Sequence, residues 1–140
     1  NDIAEQVRQS DFTPNLIVGI VRGGSVPAVY LSHALRVPVA MVHWSTRDCG
    51  IVSNESNCWI PELIVNGGKV LVVDDIVDGG DTITELMYDW QTAVRLELPT
   101  ENIRIASLVY NTSQEVVVDF FHKTVDREQD SRWYIFPWER

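Results

Sequence analysis

Two adjacent carboxylates, a glycine pair and a hydroxyl stand close together in residues 70–82, which read VLVVDDIVDGGDT. Asp74 and Asp75, named here the acid pair, follow an apolar run. Their oxygens are acceptors suited to the vicinal hydroxyls of a sugar or to a hydrated magnesium ion. Glycine allows a ligand to approach the main chain, and the free N–H groups at a helix start attract phosphate. The segment therefore predicts a site for a sugar phosphate.

The phosphate would be held by a short loop, named here the phosphate loop. It consists of Asp78, Gly79, Gly80, Asp81 and Thr82. Main-chain N–H groups at the start of the following helix would supply most of the donors, and the Thr82 hydroxyl would add one more. Asp81 introduces a carboxylate into this loop, so we expect its side chain to point outward.

A strand, a turn and a helix position the phosphate loop, and the same pattern occurs earlier in the chain. Residues 69–73 form a buried strand, and a helix follows over about 81–96. Residues 16–21, LIVGIV, run into RGGS at 22–25, and a helix follows over about 26–35. In a parallel sheet both turns fall at the carboxyl edge, where such sheets bind ligands.

Further apolar segments complete the fold. Strands are predicted over 38–44, 103–110, 116–121 and 133–136. Because helices separate most strands, we predict one α/β domain over residues 1–140, with a mostly parallel twisted sheet and helices on both faces. The polar segment 45–58 has no clear period, and a long loop in a small domain is usually functional.

Three segments resemble type I phosphoribosyltransferases. Residues 70–82 resemble the family's motif for phosphoribosyl pyrophosphate (PRPP), and IVRGGSVPAVYLSHAL at 20–35 is similar to its pyrophosphate loop and following helix. WYIFPWE at 133–139 is similar to the end of bacterial xanthine-guanine phosphoribosyltransferases. The resemblance covers most of the chain and implies the type I phosphoribosyltransferase fold with a reduced C-terminal hood.

The resemblance also implies how PRPP is held. The acid pair would hold the ribose hydroxyls and a magnesium ion, directly or through water, and the phosphate loop would wrap the 5′-phosphate. Arg22, Gly23 and Gly24, named here the RGG bend, would bind pyrophosphate, with a cis peptide bond before Arg22. Residues 45–58 would form a mobile lid that excludes water from the reacting centre.

A purine base would be held by the C-terminal segment 122–140. Trp133 would stack on the purine, and the main chain near Ile135 would read its edge. Tyr110 stands where family members that use 6-oxopurines usually carry a lysine, so its hydroxyl or a water would read the exocyclic oxygen. Gly79 stands where the family prefers threonine, which removes one hydroxyl from the phosphate loop.

The implied reaction is displacement of pyrophosphate from the anomeric carbon of PRPP by a ring nitrogen of guanine, xanthine or hypoxanthine. Its transition state resembles an oxocarbenium ion, and Mg²⁺ would neutralise the leaving group. Asp78 is the candidate general base for the purine proton. The family usually forms homo-oligomers, so we expect a dimer or a tetramer.

Composition excludes several other classes of function. The chain has 140 residues, and 11 basic against 20 acidic side chains give a net charge of −9. Because the basic residues are scattered singly, nucleic-acid binding is disfavoured. No apolar run approaches the ~20 residues that span a membrane, and we expect a cytoplasmic protein. Cys49 and Cys58 match no standard zinc spacing, which favours reduced thiols.

Two alternatives stay open on the residues. Receiver domains and magnesium-dependent phosphatases also cluster carboxylates after strands, but the Gly-Gly-Asp-Thr continuation favours a sugar phosphate. A non-catalytic regulator of the same fold, which senses PRPP or a nucleotide, is the second functional hypothesis. Such a regulator would need an additional DNA-binding domain or a basic face.

Overall fold

A parallel sheet of five strands lies at the centre of the computed structural model, which describes residues 2–44, 58–132 and 135–139. The strands are β1 (Leu16–Val21), β2 (Val39–His43), β3 (Val70–Val77), β4 (Ile103–Asn111) and β5 (Phe120–Val125). Their order is β2-β1-β3-β4-β5, and every neighbouring pair is parallel. The inner strands are rich in buried, β-branched residues because helices cover both faces of the sheet.

Two helices pack on each face of the sheet. They are α1 (Asp2–Gln9), α2 (Ser25–Leu35), α3 (Trp59–Val65) and α4 (Asp81–Val94). α1 and α2 share one apolar core with the sheet, and α3 and α4 share the other. In α4 the buried residues are Ile83, Leu86 and Trp90, whose spacing of three and four places them on one side of the helix. The α/β class with helices on both faces is confirmed.

The strand register brings the candidate residues to one edge. Gly19 of β1 pairs with Val73 of β3, so the RGG bend after β1 lies beside the acid pair. Val77, the last residue of β3, pairs with Tyr110 of β4. The carboxyl ends of β1, β3 and β4 therefore meet where ligands bind in sheets of this kind.

The outer edge of β5 is covered by a side chain of α1. Nε2 of Gln6 donates to the main-chain oxygen of Phe121 at 2.8 Å, and the Phe121 N–H donates to Oε1 of Gln6 at 3.3 Å. One side-chain amide thus occupies both main-chain groups of Phe121, as a neighbouring strand would.

Two predicted strands have different bounds. β3 extends to Val77, so the acid pair lies inside the strand and not after it. The prediction of a strand over 116–121 was wrong for its first four residues, since β5 begins at Phe120. The cause is Gln114: its side-chain amide bonds the main-chain N–H of Val116 at 2.6 Å and the oxygen of Val116 at 2.7 Å, which folds this segment into a loop.

Other elements were missed or lie outside the described residues. The sequence reading did not include α1 or α3, which are short. A strand over 133–136 was predicted; 133 and 134 are not described, and Ile135 and Phe136 precede a 3₁₀ turn without forming a strand. In the described part of the chain, no helix has both the length and the apolar character needed to cross a membrane.

Replacing Trp90 tests the core beneath the sheet. Trp90 is fully buried, so Trp90→Ala should lower the free energy of unfolding by about 3–5 kcal/mol through lost contacts and a cavity. Tyr88 on the same helix is 72% exposed, and Tyr88→Ala should change the free energy of unfolding by less than about 0.5 kcal/mol. Urea denaturation measures both; equal losses would contradict the orientation of α4.

Candidate active site

The RGG bend turns sharply at the end of β1. The peptide bond between Val21 and Arg22 is cis, as expected from the resemblance. The Gly24 N–H donates to the oxygen of Ile20 at 2.8 Å, and the Ser25 N–H donates to the oxygen of Arg22 at 3.1 Å. The Gly24 N–H is therefore already bonded within the bend. The side chain of Arg22 is exposed.

Both glycines of the bend lie directly against β3. A Cβ atom on Gly23 would be 2.1 Å from Oδ2 of Asp75, and one on Gly24 would be 2.4 Å from the main-chain oxygen of Val73. Side chains do not fit at such distances, so only glycine permits this approach. The contact between Gly23 and Asp75 brings together two motifs that lie 52 residues apart in sequence, on the edge predicted for them.

The acid pair is held by the main chain of β3. Oδ1 of Asp74 accepts the Asp75 N–H at 2.9 Å, and Oδ1 of Asp75 accepts the Ile76 N–H at 2.7 Å. Asp75 is 7% exposed, whereas Asp74 is half-buried. Successive side chains of a strand point to opposite faces, so a ligand bound by both carboxylates must lie across the end of the sheet.

The phosphate loop joins β3 to α4. Gly80 has φ +84°, and a Cβ atom there would lie 2.6 Å from Oε1 of Gln114. Glycine is therefore required by backbone conformation and by space. Within the described residues, the N–H groups of Gly79, Gly80, Asp81 and Thr82 donate no main-chain hydrogen bond, as is normal for the residues that open a helix. The Asp81 side chain is exposed, in line with the expected outward orientation.

Asp78 is held by two residues that the sequence reading missed. Nε of Arg127 donates to Oδ1 of Asp78 at 3.0 Å. Nδ2 of Asn111 donates to the main-chain oxygen of Asp78 at 2.8 Å and reaches Oδ1 at 3.3 Å. Asn111 is the last residue of β4, so its place at the carboxyl edge was a usable signal. Nothing in the sequence pattern marks Arg127.

Asn111 connects three segments from a buried position. Its Oδ1 accepts hydrogen bonds from the Ser113 N–H at 3.0 Å, the Ser113 hydroxyl at 2.7 Å and the Arg127 N–H at 3.2 Å. Its amide nitrogen holds Asp78, as above. A buried amide with all its polar atoms bonded fixes the chains around it.

The candidate base-binding residues are placed only in part. The Tyr110 ring packs against Phe121 with centroids 5.4 Å apart, next to the end of β3. Ile135 is 59% exposed, and Trp133 lies outside the described residues. Trp138 stacks on Phe136 at 5.1 Å.

A local ion pair shapes the chain just before Trp133. Arg132 donates to Asp130 from Nε at 3.0 Å and from Nη2 at 2.7 Å. These bonds, with that from the Arg132 N–H, lower the pKa of Asp130 from 3.8 to about 2. The pair lies immediately before the expected stacking residue.

The candidate lid and the cysteines are described in small part. Of the lid, 45–57 lie outside the described residues, and Cys58 is exposed immediately before α3. Cys49 lies in the same undescribed part. Among described side chains, no three histidine, cysteine or acidic residues come together as metal ligands.

The RGG bend, the acid pair and the glycine-containing start of α4 lie together at one edge of the sheet. A family model described as phosphoribosyl transferase domain matches residues 1–139. The chain belongs to the phosphoribosyltransferase family. A curated xanthine-guanine phosphoribosyltransferase of Cereibacter sphaeroides is 30% identical over 129 residues, 88% of this chain and 68% of the relative.

Solved phosphoribosyltransferases share the fold. A purine phosphoribosyltransferase from Pyrococcus horikoshii has a TM-score of 0.71 and 26% identity, covering 99% of this chain and 84% of its own. A xanthine-guanine-hypoxanthine phosphoribosyltransferase from Helicobacter pylori has a TM-score of 0.61 and 24% identity, covering 87% and 76%. The type I fold expected from the motifs is confirmed.

Adding one methyl group to the RGG bend tests its packing. In Gly23→Ala the new Cβ overlaps the Asp75 carboxylate, so the bend or the acid must move, and the free energy of unfolding should fall by about 1–3 kcal/mol. In Gly79→Ala the new Cβ would lie 3.8 Å from Oδ2 of Asp81, its nearest neighbour, and the free energy of unfolding should change by no more than about 0.5 kcal/mol. Thermal and urea unfolding compare the two; equal stability would contradict the contact.

Proposed function

We propose that this phosphoribosyltransferase acts in purine salvage, transferring the phosphoribosyl group of PRPP to guanine, xanthine or hypoxanthine with release of pyrophosphate. The observation that carries the proposal is the contact between Gly23 and Asp75. Through that contact, a pyrophosphate-type bend, two sugar-binding carboxylates and a phosphate loop share one sheet edge. The relatives named for xanthine, guanine and hypoxanthine support the purine base.

The 5′-phosphate would bind at the start of α4. Main-chain N–H groups from Gly79 to Thr82 lack main-chain partners among the described residues and would serve as its donors, together with the Thr82 hydroxyl. The 14-residue helix adds its dipole behind them. Gly79 leaves space beside the loop, since the nearest atom to an added Cβ is 3.8 Å away.

Asp74 and Asp75 would bind the ribose hydroxyls and Mg²⁺. Carboxylate oxygens suit magnesium, which is usually held by one or two carboxylates with water and substrate phosphates. The two acids fit that pattern, because no third protein ligand is required when pyrophosphate oxygens complete the shell. When bound, Mg²⁺ would neutralise charge on the departing pyrophosphate.

Pyrophosphate would lie against the RGG bend. The exposed Arg22 offers a guanidinium for its oxygens, and the Gly23 N–H offers a main-chain donor. Gly24 would contribute close packing against β3 and not a donor, since its N–H is bonded to Ile20.

Asp78 would act as the general base. The C1′–oxygen bond to pyrophosphate breaks, a bond from the purine nitrogen to C1′ forms, and the purine proton passes to Oδ2 of Asp78. Oδ1 is the oxygen that Arg127 and Asn111 already occupy. Carboxylates below the sugar favour the positive charge that grows on the ribose.

The purine would bind between the end of β4 and the C-terminal segment. Trp133 would stack on the ring, the main chain near Ile135 would read its edge, and the Tyr110 hydroxyl or a water would meet its exocyclic oxygen. Tyr110 lies beside the last residue of β3, one residue before Asp78, which supports its part in this subsite.

Assembly and location complete the proposal. We propose a homo-oligomer, a dimer or a tetramer, in the cytoplasm. Exposed apolar side chains on α2, Val26, Val29 and Tyr30, support a contact between copies.

A panel of bases tests the reaction. With PRPP and Mg²⁺, guanine, xanthine or hypoxanthine should release pyrophosphate, whereas pyrimidine bases should not. The double substitution Asp74→Ala with Asp75→Ala should abolish PRPP binding and serves as the negative control. PRPP binding without release from any base would favour the non-catalytic sensor instead.

Asp78→Asn tests the general base. The amide keeps the size of the side chain but cannot take the proton, so kcat should fall at least about tenfold while PRPP still binds. Steady-state kinetics and calorimetric titration with PRPP separate the two effects. Unchanged kcat would remove Asp78 from this role.

A further inference from the structure

An ion pair at the site joins parts of the chain that are far apart in sequence. Arg127 follows β5, and Asp78 follows β3, 49 residues earlier. Their side chains are 16% and 26% exposed, so the pair is largely enclosed. By contrast, Arg8 and Glu5 pair within one turn of α1 at 48% and 55% exposure. Exposed pairs of that kind contribute little, whereas a pair enclosed between distant segments fixes their relative position.

Asn111 forms hydrogen bonds with both members of this ion pair. Its amide nitrogen holds the main-chain oxygen of Asp78, and its Oδ1 holds the main-chain N–H of Arg127. Each of these three residues, Asp78, Asn111 and Arg127, is therefore hydrogen-bonded to the other two through side-chain or main-chain atoms. Asn111 is 5% exposed, so water competes little for these bonds.

Arg127 also holds the chain that leads to Trp133. Its Nη1 donates to the main-chain oxygen of Arg132. One guanidinium therefore binds the carboxylate of the phosphate loop on one side and the C-terminal segment on the other. The planar fork of arginine suits this double contact, whereas the ammonium group of lysine has no such fixed geometry.

We propose that Arg127 is a positioning residue that fixes the Asp78 carboxylate and anchors the C-terminal segment to it. The proposal rests on the proposed function insofar as Asp78 acts on the purine. With Oδ1 held by Arg127 and Asn111, Oδ2 is the oxygen directed to a substrate proton. Because the same guanidinium also binds the main-chain oxygen of Arg132, it fixes Arg132 relative to the Asp78 carboxylate. Fixed distances of this kind are a large part of catalysis by orientation.

Kinetics of a double-mutant cycle test the action on Asp78. Arg127→Gln should lower kcat at least about tenfold, with KM for PRPP changed less than about threefold, because Arg127 bonds the Asp78 carboxylate and not the Gly79–Thr82 N–H groups proposed to hold the phosphate. In the Asp78→Asn background the same substitution should lower kcat less than about twofold, since the group it positions is already lost. Equal effects in both backgrounds would overturn the proposal.

Two further variants control for general damage. Arg127→Lys keeps the charge without the fork and should restore kcat only in part. Arg8→Gln removes an arginine from another ion pair, far from the site, and should leave kcat unchanged. If the melting temperature of Arg127→Gln is far below that of the wild type, Arg127→Lys replaces it in the double-mutant cycle.

Hydrogen exchange tests the anchoring without any reaction. In the ligand-free protein, Arg127→Gln should speed exchange at residues 111–113 and 127–132 at least about tenfold, while α1 exchanges as before. Unchanged exchange would overturn the anchoring even in an active enzyme. If the wild-type protein released no pyrophosphate with any of the bases, the proposed function would be refuted. The hydrogen-exchange result would then test the anchoring by itself.

Discussion

Direct packing of the RGG bend on β3 is the constraint on which the site depends. Gly23 approaches the Asp75 carboxylate, and Gly24 approaches the backbone of Val73, at distances that exclude any side chain. The parallel register of β1 with β3 brings the bend to this height along the strand. Moving the bend outward by the width of a methyl group would separate it from the carboxylates of β3. The absence of a Cβ atom at Gly23 and Gly24 therefore sets the distance between the proposed pyrophosphate and ribose subsites.

An acidic chain that binds an anionic substrate must attract it locally. The net charge of −9 repels polyphosphates at long range, and the acid pair adds negative charge at the site itself. In the proposed function, main-chain N–H groups at the start of α4, the Arg22 guanidinium and a divalent cation would supply the opposing charge at short range. Short-range donors of this kind are screened less by salt than a diffuse positive face would be. Selection of the ligand then depends on fit at the sheet edge more than on steering from a distance.

Local patterns in the sequence were enough for the two strand–turn–helix units and their meeting at one edge. LIVGIV and VLVV are strand-like by composition, and glycine marks both turns, so short-range physics determines these elements. The misplaced start of β5 shows where this fails: three valines favour a strand, but the Gln114 side chain bonds the main chain of Val116. The role of Arg127 was not predicted for a related reason: its partner Asp78 is 49 residues away, and no spacing rule connects the two. Contacts between remote segments are set by tertiary packing, which local propensity does not encode.

The side chain of Gln6 has a consequence for how copies of this protein associate. An open edge strand offers main-chain donors and acceptors to any other strand, which is the usual route to continuous sheets and to aggregation. Because the Gln6 amide already bonds both polar groups of Phe121, another strand cannot pair with Phe121 without first displacing the Gln6 side chain. A glutamine on the first helix thus blocks one of the positions at which an open strand edge could pair with another chain.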